Sequence, residues 1–117
     1  MKIHKKKTDY ELSVEEDAYI NKKIKQIEKF ISKDDEAICE VEVAKNKHKS
    51  GDTFYAEINL TTEGELFRAT AIAETVGASF DKAKDELLAS LRKKKDRLDR
   101  ERKKIGARMK EWFRFRK

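Results

Sequence analysis

The sequence predicts a single α+β domain in which a mostly antiparallel four-stranded sheet carries two helices on one face. Its 117 residues amount to one domain. Apolar residues recur with the period of a helix in two segments, one early and one late in the chain. Between these segments, apolar and polar residues alternate in three short runs, and a short strand precedes them all. The predicted order is therefore β-α-β-β-β-α.

The chain begins with a predicted strand in residues 1–12 and continues into a predicted helix from Val14 to Ile31. The side chains of this strand expected to point inward are Ile3, Tyr10 and Leu12. Ser13 and Glu16 have the spacing of a capping box, in which each side chain pairs with a backbone N–H at the start of the helix. The apolar stripe of the helix consists of Ile20, Ile24, Ile27 and Ile31. Another face carries Lys22, Lys25 and Lys29.

Three strands are predicted next. Cys39, Val41 and Val43 alternate with polar residues in the first of them. The second has Phe54, Ala56, Ile58 and Leu60 on one side, and the third has Phe67, Ala69, Ala71 and Ala73. A lysine-rich turn at residues 45–52 separates the first two, and a tight turn at residues 63–65 separates the last two.

A second helix is predicted from Val76 to Ile105, about 30 residues and about 45 Å long. Its apolar stripe, which is expected to lie on the sheet, consists of Phe80, Ala83, Leu87 and Leu91. Because the helix is longer than a small domain is wide, its second half must project. Two acid-before-base pairs are expected to support the projection, Asp96 with Arg100 and Asp99 with Lys103.

Positive charge is concentrated in the last quarter of the chain. Residues 1–91 hold 15 basic and 19 acidic side chains, a balance of −4, whereas residues 92–117 hold 14 basic and 4 acidic, a balance of +10. The segment LRKKKDRLDRERKK at residues 91–104 is its densest part. Such a segment favours a polyanionic partner: nucleic acid first, then an anionic membrane, then an acidic protein.

Other classes of protein are disfavoured by what the sequence contains. A single Cys39 leaves no internal disulfide, no apolar run approaches the ~20 residues of a membrane span, and the N-terminus MKIHKKK does not resemble a signal peptide, so a cytoplasmic protein is expected. His4 and His48 are far apart in sequence, and each glycine stands alone, which leaves no catalytic set, metal site or phosphate loop to assemble. We therefore expect no enzyme activity, no cofactor and no small-molecule substrate.

Two segments, AKNKHK at residues 44–49 and FRATAIAETVGASFDKAKDELLASLRKKKDRL at residues 67–98, resemble the bacterial ribosome hibernation promoting factors and ribosome-associated inhibitors in their short form. Members share a Lys-Asn-basic-His-basic turn, alternating alanines in the last strand and a hydrophobic-Asp step that opens the second helix. The resemblance covers residues 1–98 as one α+β domain and leaves residues 99–117 as a basic aromatic extension. The chain departs from the family pattern at Thr75 and Gly77, and at Ala89 and Ser90. The layout also resembles a double-stranded RNA-binding domain.

The resemblance implies a non-enzymatic protein that occupies the decoding region of the small ribosomal subunit at the subunit interface and silences or protects idle ribosomes. Its implied partner is ribosomal RNA, with the protein monomeric off the ribosome and a membrane disfavoured. The residues expected to contact RNA are Lys22, Lys25, Lys29, Lys45, Lys47, His48, Lys49, Arg92, Lys93, Lys95, Arg97 and Arg100. Alternative functions are a structured-RNA or assembly-binding module unrelated to the ribosome, and a protein that binds a membrane surface or a partner through its tail.

The tail has three possible roles, because it interleaves aromatic and basic side chains. These residues are Trp112, Phe113, Arg114, Phe115 and Arg116. Such a segment suits stacking on RNA bases, packing over the open face of the sheet, or insertion into an anionic membrane surface.

Overall fold

The computed structural model describes residues 1–8, 10–31, 34–47 and 49–115. Its elements are β1 (Lys2–Thr8), α1 (Val14–Phe30), β2 (Ile38–Asn46), β3 (Thr53–Thr62), β4 (Glu65–Ala73) and α2 (Val76–Phe115). The strands form one sheet in the order β1-β2-β3-β4. β1 is parallel to β2, and the other two pairings are antiparallel. The predicted order of elements and the mostly antiparallel sheet are confirmed.

Both helices pack on the same face of the sheet, as predicted. The apolar stripe of α1, the inward residues of β2, β3 and β4, and the stripe of α2 form one buried cluster. Its members on α2 are Val76, Phe80, Ala83, Leu87 and Leu91, none more than 5% exposed. At roughly 1.5–3 kcal/mol for each fully buried large apolar side chain, this cluster is the main source of stability for the fold.

The burial of one residue that was predicted to point inward, Ile3, was predicted wrongly. Ile3 pairs with Cys39 but is 43% exposed, because β1 is an edge strand with a neighbour on one side only. Two residues further along β1, Lys5 Nζ lies 3.1 Å from a carboxylate oxygen of Asp17 on α1. The edge of the helix-facing surface is thus closed by an ion pair as well as by apolar contact. Tyr10 and Leu12 do pack against the core.

The start of α1 has the predicted capping box. Ser13 Oγ accepts from the Glu16 N–H at 3.1 Å, and Glu16 Oε1 accepts from the Ser13 N–H at 2.9 Å. Tyr10 also donates its hydroxyl hydrogen to Glu16 Oε1, at 2.6 Å. These bonds fix the entry into α1, and a cap of this kind contributes about 1 kcal/mol.

The start of α2 accounts for one departure from the family pattern. A Cβ atom at Gly77 would lie 3.3 Å from a ring carbon of Tyr19, so glycine leaves room for that ring. The Tyr19 hydroxyl donates to Asp81 one turn later, and Lys23 Nζ lies 3.4 Å from the other carboxylate oxygen. Burial raises the pKa of Asp81, but the bonds from Tyr19 and Lys23 outweigh it, so the pKa is lowered overall. This carboxylate joins α1 to the first turns of α2.

The turn between β3 and β4 is held by a residue of the loop that follows α1. Glu63 and Gly64 both have positive φ, 51° and 76°, as a two-residue hairpin turn requires. Asp34 accepts hydrogen bonds from the Thr62 hydroxyl at 2.6 Å and from the Glu63 N–H at 2.9 Å. These bonds lower the pKa of Asp34 and fasten the turn beside α2.

α2 is longer than predicted. It runs for 40 residues to Phe115 and does not end at Ile105, which corresponds to about 60 Å of helix. The molecule accordingly measures 75 × 29 × 19 Å. Gly106 does not end the helix because the residues that follow it, Ala107 to Glu111, are mostly strong helix formers. About half of α2 therefore projects beyond the body.

Candidate nucleic-acid interface

Basic side chains form two rows along the projecting part of α2, one on each side of its apolar stripe. The first, here called the β4-side row, consists of Lys93, Arg97, Arg100 and Lys104, at spacings of four, three and four. Its first three members line a shallow groove with Glu65 and Phe67 at the edge of β4. All four are exposed, so their charged groups are accessible to a partner.

The second row, here called the α1-side row, consists of Arg92, Lys95 and Arg102. The Arg92 guanidinium lies 5.8 Å from the centre of the Phe30 ring at the end of α1. Lys95 and Arg102 line a cleft together with Lys29 of α1. The structure thus brings Lys29, a predicted contact residue, next to the predicted residues of α2.

Lys94 lies between the two rows and has a different role. Its ammonium group pairs with Glu65 and lies 5.2 Å from the centre of the Phe67 ring. This contact attaches α2 to β4 just where the helix leaves the body. Lys94 was not among the predicted contact residues, and its half-buried position agrees with that omission.

Charge pairing within the projection differs from the prediction. The structure brings Arg102 Nη1 within 3.9 Å of Asp99. Neither predicted pair, Asp96 with Arg100 or Asp99 with Lys103, is an ion pair in the described part of the chain. The long side chains are exposed here, and such contacts contribute only a few tenths of a kcal/mol.

The lysine-rich turn between β2 and β3 lies at the opposite end of the sheet from the two rows. The pairing of β2 with β3 runs from Ile38 with Thr61 to Asn46 with Thr53, about 27 Å at the rise of a strand. Lys47 and Lys49 are exposed there, whereas Lys45 is half-buried and pairs with Asp52 at 3.2 Å. His48 lies outside the described residues. The turn and the rows are therefore two separate basic surfaces.

The lysines of α1 lie between these two surfaces. α1 begins near the lysine-rich turn, where the Tyr10 ring meets the Phe54 ring at 5.2 Å, and it ends beside Arg92. Lys22, Lys25 and Lys29 are exposed along its outer side. They form a discontinuous path of positive charge from one end of the domain to the other.

Comparison with known proteins identifies the family. The family model described as Sigma 54 modulation protein / S30EA ribosomal protein matches residues 2–99. The chain belongs to this family. The resemblance to the hibernation factors is confirmed. No curated protein matches the chain in a sequence search.

Two solved structures show the same fold as this S30EA family member. The N-terminal domain of Protein Y from Thermus thermophilus matches with a TM-score of 0.63 and 21% identity, over 80% of this chain and 98% of that one. A ribosomal subunit interface protein from Coxiella burnetii matches with a TM-score of 0.65 and 17% identity, over 82% of this chain and 99% of that one.

The open face of the sheet in this S30EA domain carries carboxylates and cations together. Glu40 and Glu42 on β2 lie in one shallow depression with Glu57 on β3 and with His4, Lys5 and Lys6 on β1. Glu42 pairs directly across the ladder with Glu57, and Glu57 also binds Arg68 Nε at 2.6 Å. Without a net positive charge, this face is a poor surface for phosphate.

Two basic residues on the last turns of α2 were missed by sequence reasoning. Arg108 and Lys110 are exposed on the helix, but a helix expected to end at Ile105 gave no reason to place them with Lys93 or Arg97. The signal that marks Arg108 is the spacing of three and four residues, which continues past Gly106.

The aromatic tail belongs to the same helix and lies away from the sheet. Trp112 and Phe113 are 55% and 61% exposed, and their rings meet edge to face at 4.9 Å. The possibility that these two side chains cover the sheet of their own chain is therefore wrong. Arg114 is exposed, whereas the Phe115 side chain and Arg116 lie outside the described part.

No helix among the described residues is long and apolar enough to span a membrane. Within the same residues, no three histidine, cysteine or carboxylate side chains are grouped closely enough to hold a metal ion. The Cys39 thiol lies in the core, where burial raises its pKa to about 11.

Proposed function

We propose that the protein binds the small ribosomal subunit at the subunit interface through ribosomal RNA, occupies the decoding region and silences idle ribosomes. The family description, S30EA ribosomal protein, and the Coxiella burnetii subunit interface protein support binding to the ribosome. Occupation of the decoding region is what the resemblance to hibernation factors implies. Inhibition then requires no chemical step, because the bound domain excludes messenger and transfer RNA.

The observation that carries this proposal is the pair of basic rows on one continuous helix. Each lysine or arginine that meets an RNA phosphate releases condensed counterions, which favours binding at moderate salt. The rows are held on a helix of 40 residues, so little conformational entropy is lost when they dock. A helix anchored in the body through Leu87 and Leu91 also fixes the direction in which the charges point.

The separate lysine-rich turn adds a second contact and sets the orientation. Lys47 and Lys49 lie about 27 Å from the point where α2 leaves the sheet, by the rise of a strand. Two contacts this far apart select a folded RNA surface over a short single strand. Because Glu40, Glu42 and Glu57 offset the cations of the open face, the domain approaches RNA with the helices and the turn.

Sedimentation tests the proposal directly. Lysate from starved cells that make this protein is separated on a sucrose gradient at low salt, and each fraction is probed for it. We expect the protein to travel with small subunits and intact ribosomes. Absence from both fractions would show that the ribosome is not its partner.

A matched pair of variants tests the rows. Arg97→Glu combined with Arg100→Glu reverses two charges of the β4-side row. Lys2→Glu combined with Lys82→Glu makes the same change of net charge at exposed positions elsewhere on the body. We expect the first variant to leave the ribosomal fractions and the second to remain. Equal loss in both would show that only total charge matters.

The second candidate function is that of a structured-RNA module unrelated to the ribosome. The rows consist of cations, and contacts between cations and phosphates do not depend on the base sequence of the RNA. Purified small subunits and a long RNA duplex, titrated at the same salt, separate the two candidates. Equal affinity for both would favour the second candidate. Preference for the subunit by at least about tenfold, or 1.4 kcal/mol, would favour the first.

A further inference from the structure

The apolar stripe of α2 continues past the body on the same side of the helix. Leu91, Leu98, Ile105 and Trp112 recur every seven residues, and Met109 and Phe113 extend the same side. We call Ile105, Met109, Trp112 and Phe113 the distal stripe. They are 56%, 54%, 55% and 61% exposed, respectively. Leu91, on the same line but within the body, is only 5% exposed.

The distal stripe leads directly into a cleft at the end of the body. The cleft has a volume of about 580 Å³ and lies between the end of α1, the β3–β4 turn and α2. Its apolar lining includes Phe30, Phe67 and Leu98. Its charged lining has both signs, with the carboxylates Asp34, Glu63 and Asp99 and the cations Lys29, Lys94, Lys95 and Arg102. We call it the Phe30–Phe67 cleft.

Contact with RNA phosphates leaves the aliphatic part of this feature without a role. Phosphates are contacted by the flanking rows, and aliphatic side chains such as Ile105 and Met109 gain nothing from them. A flat membrane is also a poor occupant. The stripe lies on the same side of α2 as Phe80 and Leu87, which pack on the sheet. The body of the protein would therefore collide with a bilayer before the stripe reached it.

We propose that the distal stripe pairs with the distal stripe of a second copy of this chain, with the two α2 helices antiparallel about a twofold axis at Ile105. Leu98 lies seven residues before Ile105 and Trp112 lies seven residues after it. A twofold axis at Ile105 therefore places Trp112 of each copy level with Leu98 of the other. Trp112 and Phe113 of one copy then enter the Phe30–Phe67 cleft of its partner.

The same register pairs opposite charges. Glu101 and Arg108 lie on the same side of the stripe, seven residues apart. Antiparallel pairing about Ile105 brings Glu101 of one copy level with Met109 of the other, one residue from Arg108. Glu101 and Arg108 of the partner therefore lie within reach of each other, twice in the dimer.

The area involved suits a weak, reversible dimer. Each of the four distal side chains is slightly more than half exposed, so burying it removes on the order of 100 Å² from water. Eight such side chains and the surface they cover in the two clefts give roughly 1,000 Å² in total, near the lower limit for a specific interface. Repulsion between the basic rows further limits the affinity.

Sedimentation velocity of the full chain in the absence of RNA measures the proposed dimer, over protein concentrations from about 1 μM to about 1 mM. Ile105→Gln removes an apolar side chain at the axis. Ala107→Gln makes the same neutral change two residues away, on the opposite side of the helix. We expect Ile105→Gln to weaken association at least about tenfold and Ala107→Gln to change it less than about twofold. Circular dichroism checks that both remain helical.

A charge exchange tests the register. Glu101→Arg alone and Arg108→Glu alone should each weaken the dimer, and the two together should restore it, because the pairs are re-formed with their signs exchanged. Within one chain these residues are two turns apart and do not meet. Failure of the combination to restore association would overturn the antiparallel register.

Two other outcomes would overturn the pairing itself. One is a chain that stays monomeric over the whole concentration range. The other is flotation of a monomeric chain with vesicles that contain phosphatidylserine. If Ile105→Gln abolished this flotation and Ala107→Gln did not, lipid would be what covers the stripe. Either result would leave the proposed binding to ribosomal RNA intact, since the β4-side row lies on another side of α2.

Discussion

Residues 76–91 and residues 92–115 belong to one helix and carry the same apolar period, but their surroundings are opposite. The first part lies on the sheet, with Phe80, Ala83 and Leu87 no more than 1% exposed. The second leaves the body, with Ile105 and Met109 more than half exposed. Periodicity therefore predicts which side of a helix is apolar, and the length of the neighbouring strands determines how much of that side is covered.

The largest expected effect is on stability and comes from the covered part. Leu87→Ala should lower the free energy of unfolding by about 2–5 kcal/mol, since a buried leucine is lost and a cavity remains. Ile105→Ala on the same side of the same helix should leave it nearly unchanged. Urea unfolding at low protein concentration measures both. Equal effects of the two substitutions would contradict the contrast between the two parts of α2.

A large effect on binding should come from the projecting part. Replacement of Arg92, Lys93, Lys95 and Arg97 with glutamate should weaken ribosome binding at least about a hundredfold, because four favourable phosphate contacts become repulsions. Stability should be retained, since all four side chains are exposed. Sedimentation with purified subunits measures binding, and thermal unfolding measures stability. Unchanged affinity would remove α2 from the interface.

The dependence on salt gives a finer measure of the same variant. The slope of log affinity against log salt should become shallower by about one unit for each phosphate contact that is removed. A variant that weakens binding without changing the slope would indicate a damaged fold or a shifted orientation and not lost contacts. Salt titration of the unmodified protein supplies the reference slope.

Much of the fold was predictable because its signals are local. The capping box of Ser13 and Glu16, the alternation in β2 and the stripe from Phe80 to Leu91 each depend on residues close together in sequence. The exposure of Ile3 was not predictable, because it results from the position of β1 at the edge of the sheet. The end of α2 was misplaced, because the helix formers from Ala107 to Glu111 continue the helix past Gly106.

The candidate site was predictable as a set of basic residues but not as an arrangement. Sequence spacing placed Arg92, Lys95 and Arg97 on one projecting helix. It did not show that the turn with Lys47 lies at the far end of the sheet, because this follows from the strand order. Nor did it show the Phe30–Phe67 cleft, whose two aromatic side chains come from α1 and β4.

A smaller effect is expected from Gly106, the glycine in the projecting part of α2. Gly106→Ala should stabilise the projecting helix locally by about 1 kcal/mol, because alanine is the better helix former and no neighbouring atom lies within 4 Å of the new methyl group. Amide hydrogen exchange in residues 99–115 should slow by about fivefold, whereas urea unfolding of the body should be unchanged. Unaltered exchange would mean that the projecting part is held by other contacts, such as a second chain.

The smallest expected effect concerns pH and is confined to the covered part of α2. Since the pKa of Asp81 is lowered in the folded protein, its ionised form stabilises the fold above the ordinary carboxyl pKa of about 3.9, and this contribution is lost as the pH falls through the folded value. Asp81→Asn should therefore be less stable than the unmodified protein at neutral pH, and the difference should shrink on acidification. Urea unfolding at a series of pH values measures it. A difference that stays constant with pH would show that Asp81 acts through its shape and hydrogen bonds alone, and that its charge does not hold α2 to α1.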